Sequence, residues 1–431
     1  MEGKLEPKTL KGFNDYFSDD MKIRDFIRNI FKTIAISYGF EALETPALEY
    51  SELILGQSGD EAEKLYYRFK DNGGRDVMLK YELMIPMCRA VAQNYNNIAF
   101  PYKRYQIQNV WRAENVQKGR LREFTQMDID TLGSSSPMAD AEVIQFGLAF
   151  LKALGFKKYV VRINSREIIK GLIDSIGIDE KYFEDVYIAI DKMKKVGPEN
   201  VKKELIEKEI EEKQATALLS ALDLDIEELG EIIKNTESGE KGINNIREII
   251  NIVKTNKDMV EFIKFDATLT RGLASYTGAV WEYEVVDGDV GSVSGGGRYD
   301  KAVSKYIGRE IPATGTSFGL ERLLEIIKDR NMLNKEIVND SILLISVSTE
   351  CIGYTIKVAN KLREEGIITN IYPDIQKFKT SLKYADRKGV KWVGIIGEDE
   401  MNQEKIQLKN MLDKSQNLLS IEEVVDTISK K

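Results

Sequence analysis

A chain of 431 residues, 42% of them hydrophobic, is too long for one ordinary core and is expected to divide into two or three domains. Its net charge of -8 argues against blanket binding of nucleic acid, and its longest aliphatic runs, such as Ile342 to Val347, are strand-sized rather than membrane-spanning. The absence of histidine removes the commonest general base and the commonest metal ligand, leaving any chemistry to arginines, carboxylates, amides, hydroxyls or bound Mg²⁺.

The first residues, "MEGKLEPKTLKGF", have no apolar signal core, so the cytoplasm is the expected compartment. Residues 18–38 open with "SDD" and place Ile23, Phe26, Ile27, Ile30, Phe31 and Ile34 at helical spacing before Gly39, which predicts a capped amphipathic helix. "FEALETPALEY" alternates around Pro46 and reads as a strand at an edge or interface. Between Val77 and Gly133, the runs "YKRYQIQNVWRAE" and "REFTQMDIDTLG" predict two antiparallel strands joined by a long loop. Asp140 to Leu154 carries one apolar face and ends at Gly155, as a helix packed on that sheet does.

From Arg166 to Lys264 the composition turns to Glu, Lys and Ile with helical periodicity, predicting a helical insertion between two halves of one sheet. β-type composition returns in "FDATLTRGLASYTGAVWEYEVV" and "GSVSGGGRYDKAV", and "ATGTSFGLERLLEII" turns from strand to helix. Beyond the polar segment Lys328 to Asp340, strand and helix patterns alternate as in a small α/β domain. Cys88 and Cys351 fall in separate domains and outside any CxxC pair, so both are expected to be buried thiols.

The chemistry-bearing stretch is "WRAENVQKGRLREFTQMDID". Side chains of matching parity on paired strands share a face, so Arg112 and Glu114 are placed with Phe124, Gln126, Asp128 and Asp130, and the loop can carry Lys118, Arg120 and Arg122 over them. Fixed guanidiniums bind anionic oxygens bidentately and an aromatic stacks on a base, a layout suited to a polyphosphate, with the carboxylates facing a cationic second substrate. A charged, solvated hairpin explains this stretch alone equally well. Arg271 before Gly272, the glycines of "GGGRYD" and Arg322 at the start of a helix are each compatible with anion binding or with packing.

The order of "YGFEALETPALE", "WRAE" to "REFTQMDID", "RGLASYTG", "GGGRYD" and "GTSFGLERL", followed by an α/β tail, resembles the histidyl-tRNA synthetases, a family of class II aminoacyl-tRNA synthetases. The likeness covers essentially the whole chain and is strongest at residues 39–145 and 265–325. It implies an α+β catalytic domain with an antiparallel sheet over residues 1–165 and 265–327, a helical insertion over 166–264 and an anticodon-binding-like α/β domain over 341–431. It further implies a cytoplasmic homodimer, not associated with membrane, that uses ATP and Mg²⁺ to activate histidine and transfers it to tRNA(His). Two other readings share the fold: the histidine-sensing regulatory subunit of ATP phosphoribosyltransferase, which typically lacks the C-terminal domain, and a class II paralogue for another amino acid.

Carried over by position, the resemblance makes Arg112, Arg271 and Arg322 catalytic. Arg112 and Arg322 clamp the ATP phosphates, Glu114 and Arg120 serve the nucleotide, and Phe124 stacks on adenine. Glu82 and Gln126 hold the ammonium, Asp130 and Tyr276 read the imidazole, and Tyr299 and Arg112 belong to the same amino-acid site. Arg271 stands beside the α-phosphate and the carboxylate. The tail's Lys377, Lys379, Lys383, Arg387 and Lys388 are candidate tRNA phosphate contacts, or simply a solvated helix face. Three positions depart from the family's habit: Met84 replaces a threonine, Ala274 and Ser275 replace Asp-Tyr before Tyr276, and Thr125 replaces a histidine. Loss of the threonine hydroxyl removes a hydrogen bond to the amino group, about 0.5–1.5 kcal/mol where water substitutes.

Overall fold

The computed structural model describes residues 6–55, 65–270, 276–286, 291–332, 341–375 and 378–429. Two compact units divide the chain, Met1–Arg330 and Asn331–Lys431.

The first unit is built on an eight-stranded sheet. In chain order the strands are β1 (Glu41–Ala42), β2 (Leu48–Tyr50), β3 (Arg68–Lys70), β4 (Asp76–Leu79), β5 (Tyr102–Trp111), β6 (Glu123–Leu132), β7 (Tyr159–Ser165), β8 (Ile263–Phe265), β9 (Ala279–Val285), β10 (Ser292–Arg298) and β11 (Ala313–Gly319). The large sheet runs β1-β5-β6-β11-β10-β9-β7-β8, and β2-β4-β3 form a separate small sheet. Six central strands are antiparallel, whereas β1 joins β5 and β8 joins β7 in parallel, so the sheet is mixed at its two edges.

Two local expectations are corrected. The "FEALETPALEY" run is not one strand: it divides around Pro46 into β1, on the edge of the large sheet, and β2, in the small one. A proline has no N–H for a ladder, and the chain changes sheets there. The first helix spans Ser18–Ser37, but Phe17 occupies its N-cap and no side chain caps it. Asp19 and Asp20 sit in the first turn, where the positive end of the helix dipole favours them.

The helices Ser18–Ser37 and Pro137–Ala153 bury the back of the sheet through Phe31, Phe146, Phe150 and Phe318. Phe31 meets Phe146 and Phe150 edge-on at 5.1 Å, and Phe150 meets Phe318 in the same way. Burial of each ring stabilises by about 1.5–3 kcal/mol, and edge-on pairs add about 0.5–1.5 kcal/mol. This apolar layer fixes one face of β6 and β11 and leaves the other for polar side chains.

Between β7 and β8 the chain forms six α-helices from Arg166 to Lys254, then returns to pair beside the strand it left. The apolar faces of Arg166–Ile176 (Ile168, Ile169, Leu172, Ile173) and Glu237–Lys254 (Ile243, Ile246, Ile249, Val253) are buried. The second unit is a five-stranded sheet in the order β13-β12-β14-β15-β16: β12 (Ser341–Ser346), β13 (Ile368–Ile371), β14 (Trp392–Ile396), β15 (Ile406–Asn410) and β16 (Gln416–Leu419). The first three are parallel, and the last two add an antiparallel edge that the alternating strand–helix pattern did not reveal. Ile342, Leu344, Val358, Leu362 and Ile396 form its core. Cys88 and Cys351 are free, buried thiols.

Candidate active site

The β5–β6 hairpin fixes the site by register. Arg104 lies opposite Asp130, Gln106 opposite Asp128, Gln108 opposite Gln126 and Val110 opposite Phe124. The Arg112 backbone N–H donates to Arg122 O at 2.8 Å and continues the pairing past the end of β5. Phe124, Gln126, Asp128 and Asp130 therefore point the same way along about 20 Å of β6. They line a cavity of about 400 Å³, which Glu82, Met84, Arg112, Glu114, Arg120, Tyr276, Tyr299 and Arg322 also line. Every residue that the resemblance gave a place in the site, within the described chain, thus reaches one cavity. Arg271, Ala274 and Ser275 lie outside the described residues.

One end is cationic. Arg112 Nε donates to Tyr81 O at 3.0 Å, and its guanidinium lies 4.3 Å from the Tyr81 ring centre and 5.1 Å from that of Phe124. Arg120 pairs with Glu114. Burial pushes the Glu114 carboxyl up, but Arg120 and Arg112 outweigh it and hold the group below its ordinary value. Arg322, in the first turn of the helix Leu320–Asp329, donates to Ser292 O. The other loop cations do not line the cavity: Lys118 Nζ lies 2.7 Å from Asp329, and Arg122 Nε donates to Glu114 O at 3.2 Å.

A buried clamp holds Arg322's helix against β6. Arg24 donates to Glu321 Oε1 at 2.8 Å and to Thr125 Oγ1 at 3.0 Å, and the Thr125 N–H donates to Glu321 Oε2 at 3.0 Å. Thr125 therefore serves this clamp and faces away from the cavity, as strand alternation requires. Neither Arg24 nor Glu321 was legible as a site-building residue, because their partner lies far along the chain.

The other end is acidic and buried. Both Glu82 oxygens accept backbone N–H groups at the start of the helix Met84–Gln93, from Met84 at 2.5 Å and Ile85 at 2.6 Å. Burial still pushes its carboxyl up. Arg104, 0% exposed, lies 2.7 Å from Asp130 Oδ2 and 3.9 Å from Asp128 Oδ2, while Tyr299 OH donates to Asp130 Oδ1. Burial pushes Asp128 up to about 7, with Arg104 opposing and Asp130 adding to the rise. Close approach requires glycine twice here: a Cβ on Gly315 would sit 1.9 Å from Asp130 Oδ1, and one on Gly297 would sit 2.8 Å from the Tyr276 ring. Met84 brings a thioether to the cavity wall in place of a hydroxyl.

Tyr81 and Arg104 are site residues that the sequence reading gave no role. Arg104 had a signal, its parity with Arg112 along β5, but its partner emerges only from the register. Chemically, the cavity offers guanidiniums and an aromatic face to an anion-bearing heterocycle, and buried carboxylates to a donor-rich or cationic group.

Residues 12–323 match the family model described as histidyl-tRNA synthetase, and residues 341–431 match one described as an anticodon binding domain. The histidine–tRNA ligase of Wolinella succinogenes is 36% identical over 94% of this chain and 94% of its own. The crystal structure of histidyl-tRNA synthetase from Nostoc sp. PCC 7120 superposes with a TM-score of 0.87, at 25% identity, over 99% of this chain and all of that one. An ATP phosphoribosyltransferase regulatory subunit/histidyl-tRNA synthetase from Bacillus halodurans C shares the fold at a TM-score of 0.79 and 22% identity, over 92% of this chain and 99% of its own. With a matching model over most of its length and a curated relative aligned nearly end to end, the chain belongs to the histidyl-tRNA synthetase family.

Proposed function

We propose that the chain is a histidine–tRNA ligase that joins histidine to ATP as histidyl-adenylate and passes it to tRNA(His). The observation that carries this reading is the polarity of one cavity: Arg112, Arg120 and Arg322 gather beside Phe124 at one end of β6, and Glu82, Asp128 and Asp130 gather at the other. The span of about 20 Å accommodates an amino acid joined to a nucleotide.

In this reading Phe124 stacks on adenine while Arg120 and Glu114 orient the nucleotide. Arg112 and Arg322 clamp the phosphates, and Arg271 stands beside the reacting carboxylate. Glu82 and Gln126 take the ammonium, and Asp130, Tyr276 and Tyr299 form the imidazole end. The histidine carboxylate, already ionised, attacks the α-phosphorus; a P–O bond forms and pyrophosphate leaves. No general base is needed, so catalysis is positioning plus charge stabilisation, which a chain without histidine can supply. In the second step a tRNA ribose hydroxyl attacks the adenylate carbonyl, its proton passes to a phosphate oxygen, and AMP leaves.

Among the described residues no three acidic or cysteine groups cluster to hold a metal by themselves. Mg²⁺ bound chiefly through substrate phosphates needs one or two carboxylates, and Glu114 and Glu282 line the cavity. When bound, the ion neutralises phosphate charge. Residues 1–165 and 265–327 act as the catalytic domain, with 166–264 as an inserted helical module and 341–431 serving the anticodon. Lys379, Lys383 and Arg387 on the helix Phe378–Arg387, with Lys388 following, are its candidate phosphate contacts, together with Lys377, which lies outside the described residues. Leu48 and Tyr50, 42% and 49% exposed on β2, are candidates for a homodimer face, and the cytoplasm is the proposed compartment. No helix among the described residues is long and apolar enough to cross a membrane.

Pyrophosphate exchange with each of the twenty amino acids, followed by charging of tRNA(His), tests the reading. Exchange with histidine alone and subsequent charging is expected. Exchange with none supports the regulatory alternative, and exchange with another amino acid alone supports a paralogue.

A further inference from the structure

The loop that carries Glu114 and Arg120 to the cavity is gripped at both ends by segments outside the β5–β6 hairpin. At its entry the Ala113 N–H donates to Leu65 O at 2.9 Å. At its exit Gly12 O, arriving from the N-terminal segment, accepts from the Arg122 N–H at 2.9 Å and from the Glu123 N–H at 3.3 Å. A carbonyl has two lone pairs, so this one oxygen serves both amides at the start of β6. Within the loop Gln117 and Arg120 exchange backbone hydrogen bonds at 3.1 and 2.9 Å, which makes it a closed turn whose attitude depends on its two ends.

The grip at the exit is close. Gly12 has φ +86°, and a Cβ there would lie 2.8 Å from Arg122 Cγ and 2.9 Å from Val116 Cγ2. The backbone angle and the space both call for glycine. Phe13, whose N–H donates to Leu10 O at 3.0 Å, meets Tyr67 edge-on at 6.1 Å and so joins the exit grip to the segment that grips the entry. Four residues beyond Gly12 the same segment reaches the other arginine-bearing element. The Tyr16 ring lies 3.9 Å from the guanidinium of Arg24, which holds Glu321 at 2.8 Å, and Glu321 adjoins Arg322. None of the residues from Leu10 to Tyr16 lines the cavity itself.

We infer that Leu10–Tyr16 is a nucleotide-positioning strap, which sets the loop of Arg120 and the helix of Arg322 against each other so that both guanidiniums converge on one polyphosphate. This rests on the proposed histidine–tRNA ligase reading for the identity of the ligand, and it adds residues that act through others without touching ATP. A displacement of about 1 Å in such a group costs up to about 10²-fold in rate.

The test compares the full-length parent with Gly12→Ala, Phe13→Ala, Tyr16→Ala and Tyr16→Phe. The Kd for ATP is measured by calorimetry, the KM values for ATP and histidine by pyrophosphate exchange, and stability by urea unfolding. Gly12→Ala is expected to raise the ATP Kd and KM about fivefold or more, and Phe13→Ala and Tyr16→Ala about threefold, with the histidine KM within about twofold throughout. Tyr16→Phe, which keeps the ring face for Arg24, is expected to restore the parent's ATP constants. Should Gly12→Ala fail to fold, the Phe13 and Tyr16 variants carry the test. Variants that lose stability while the ATP Kd stays within about twofold of the parent would overturn the inference, reducing the strap to packing. Equal rises in the ATP and histidine constants would also overturn it. A parent that binds ATP but shows no histidine-dependent exchange would sink the ligase reading alone, and the strap then stands or falls by the ATP Kd of the variants; a parent that does not bind ATP overturns both.

Discussion

The acid end and the cation end of the cavity are built in opposite ways. At the acid end, Arg104 is fully buried and shared between two aspartates, Glu82 is fixed by two backbone amides, and Tyr299 and Gly315 close around Asp130. At the cation end, the Arg120 side chain is 44% exposed, and the Lys118–Asp329 pair is 52% exposed on both sides. Buried carboxylates must be placed while the chain folds, because nothing later screens them. Exposed guanidiniums are screened by water and adjust when a polyphosphate arrives. Mutations at the acid end should therefore register first as stability, and those at the cation end as rate.

Arg104→Met gives the largest expected effect on the fold. It leaves Asp128 and Asp130 buried with no countercharge, a loss of about 3–5 kcal/mol. Urea unfolding at pH 7 measures it; a change under about 1 kcal/mol would mean that the acid end is not held by this pair. Arg112→Ala should do the reverse. Pyrophosphate exchange is expected to fall by about 10²–10³ in kcat, as when one fixed donor to developing charge is removed, while the unfolding free energy shifts by about 1 kcal/mol or less. Equal losses in stability from both variants would erase the distinction between the two ends.

The cation end was the more legible in the sequence, for a physical reason. Arg112, Glu114, Arg120 and Phe124 lie within one short hairpin, so parity along the strands suffices to gather them. The acid end depends on register across distant segments: Arg104 meets Asp130 across β5 and β6, Tyr299 arrives from beyond β10, and Gly315 from β11. Alternation marks which residues share a face, but it does not say which side chain already has a partner. Strand parity alone placed Asp128 and Asp130 of "MDID" together as carboxylates on one face, and their distances to Arg104, 3.9 Å and 2.7 Å, emerge only from the fold. The glycine run of β10 was compatible with anion binding or with packing; at Gly297 the room is taken by Ala279 O of the neighbouring β9 and by the Tyr276 ring. Thr125, noted only as a departure from the family's habit, lies with its side chain on the other face, in the Arg24–Glu321 clamp.

A smaller effect separates the ends by pH. Burial holds Asp128 up at about 7 in the folded chain, against an ordinary value of 3.8. Below about pH 4 the carboxyl is protonated in both states and costs nothing. Between about 4 and 7 the unfolded chain releases the proton that the folded chain keeps, so stability falls as pH rises, and above about 7 the loss is complete. Asp128→Asn removes this penalty. Its stability relative to the parent should improve by about 1–3 kcal/mol between pH 5 and pH 8, read from urea unfolding at each pH. The same relative stability at both pH values would show that the carboxyl ionises without cost. Arg112→Ala, at the screened end, should show no comparable trend.

The smallest expected effect tests whether every loop cation belongs to the cation end. Lys118 and Arg120 are two residues apart, but Arg120 lines the cavity and Lys118 turns to Asp329 on the helix Leu320–Asp329. An exposed lysine–carboxylate pair contributes at most about 1 kcal/mol, and usually less. Lys118→Ala should leave the ATP KM within about twofold and the unfolding free energy within about 0.5 kcal/mol, while Arg120→Ala raises the ATP KM about tenfold. Matching increases in ATP KM would mean that Lys118 leaves Asp329 for the phosphates when nucleotide binds. The adaptable end would then extend through the whole loop, and the contrast with the fixed acid end would be greater than the geometry of Lys118 indicates.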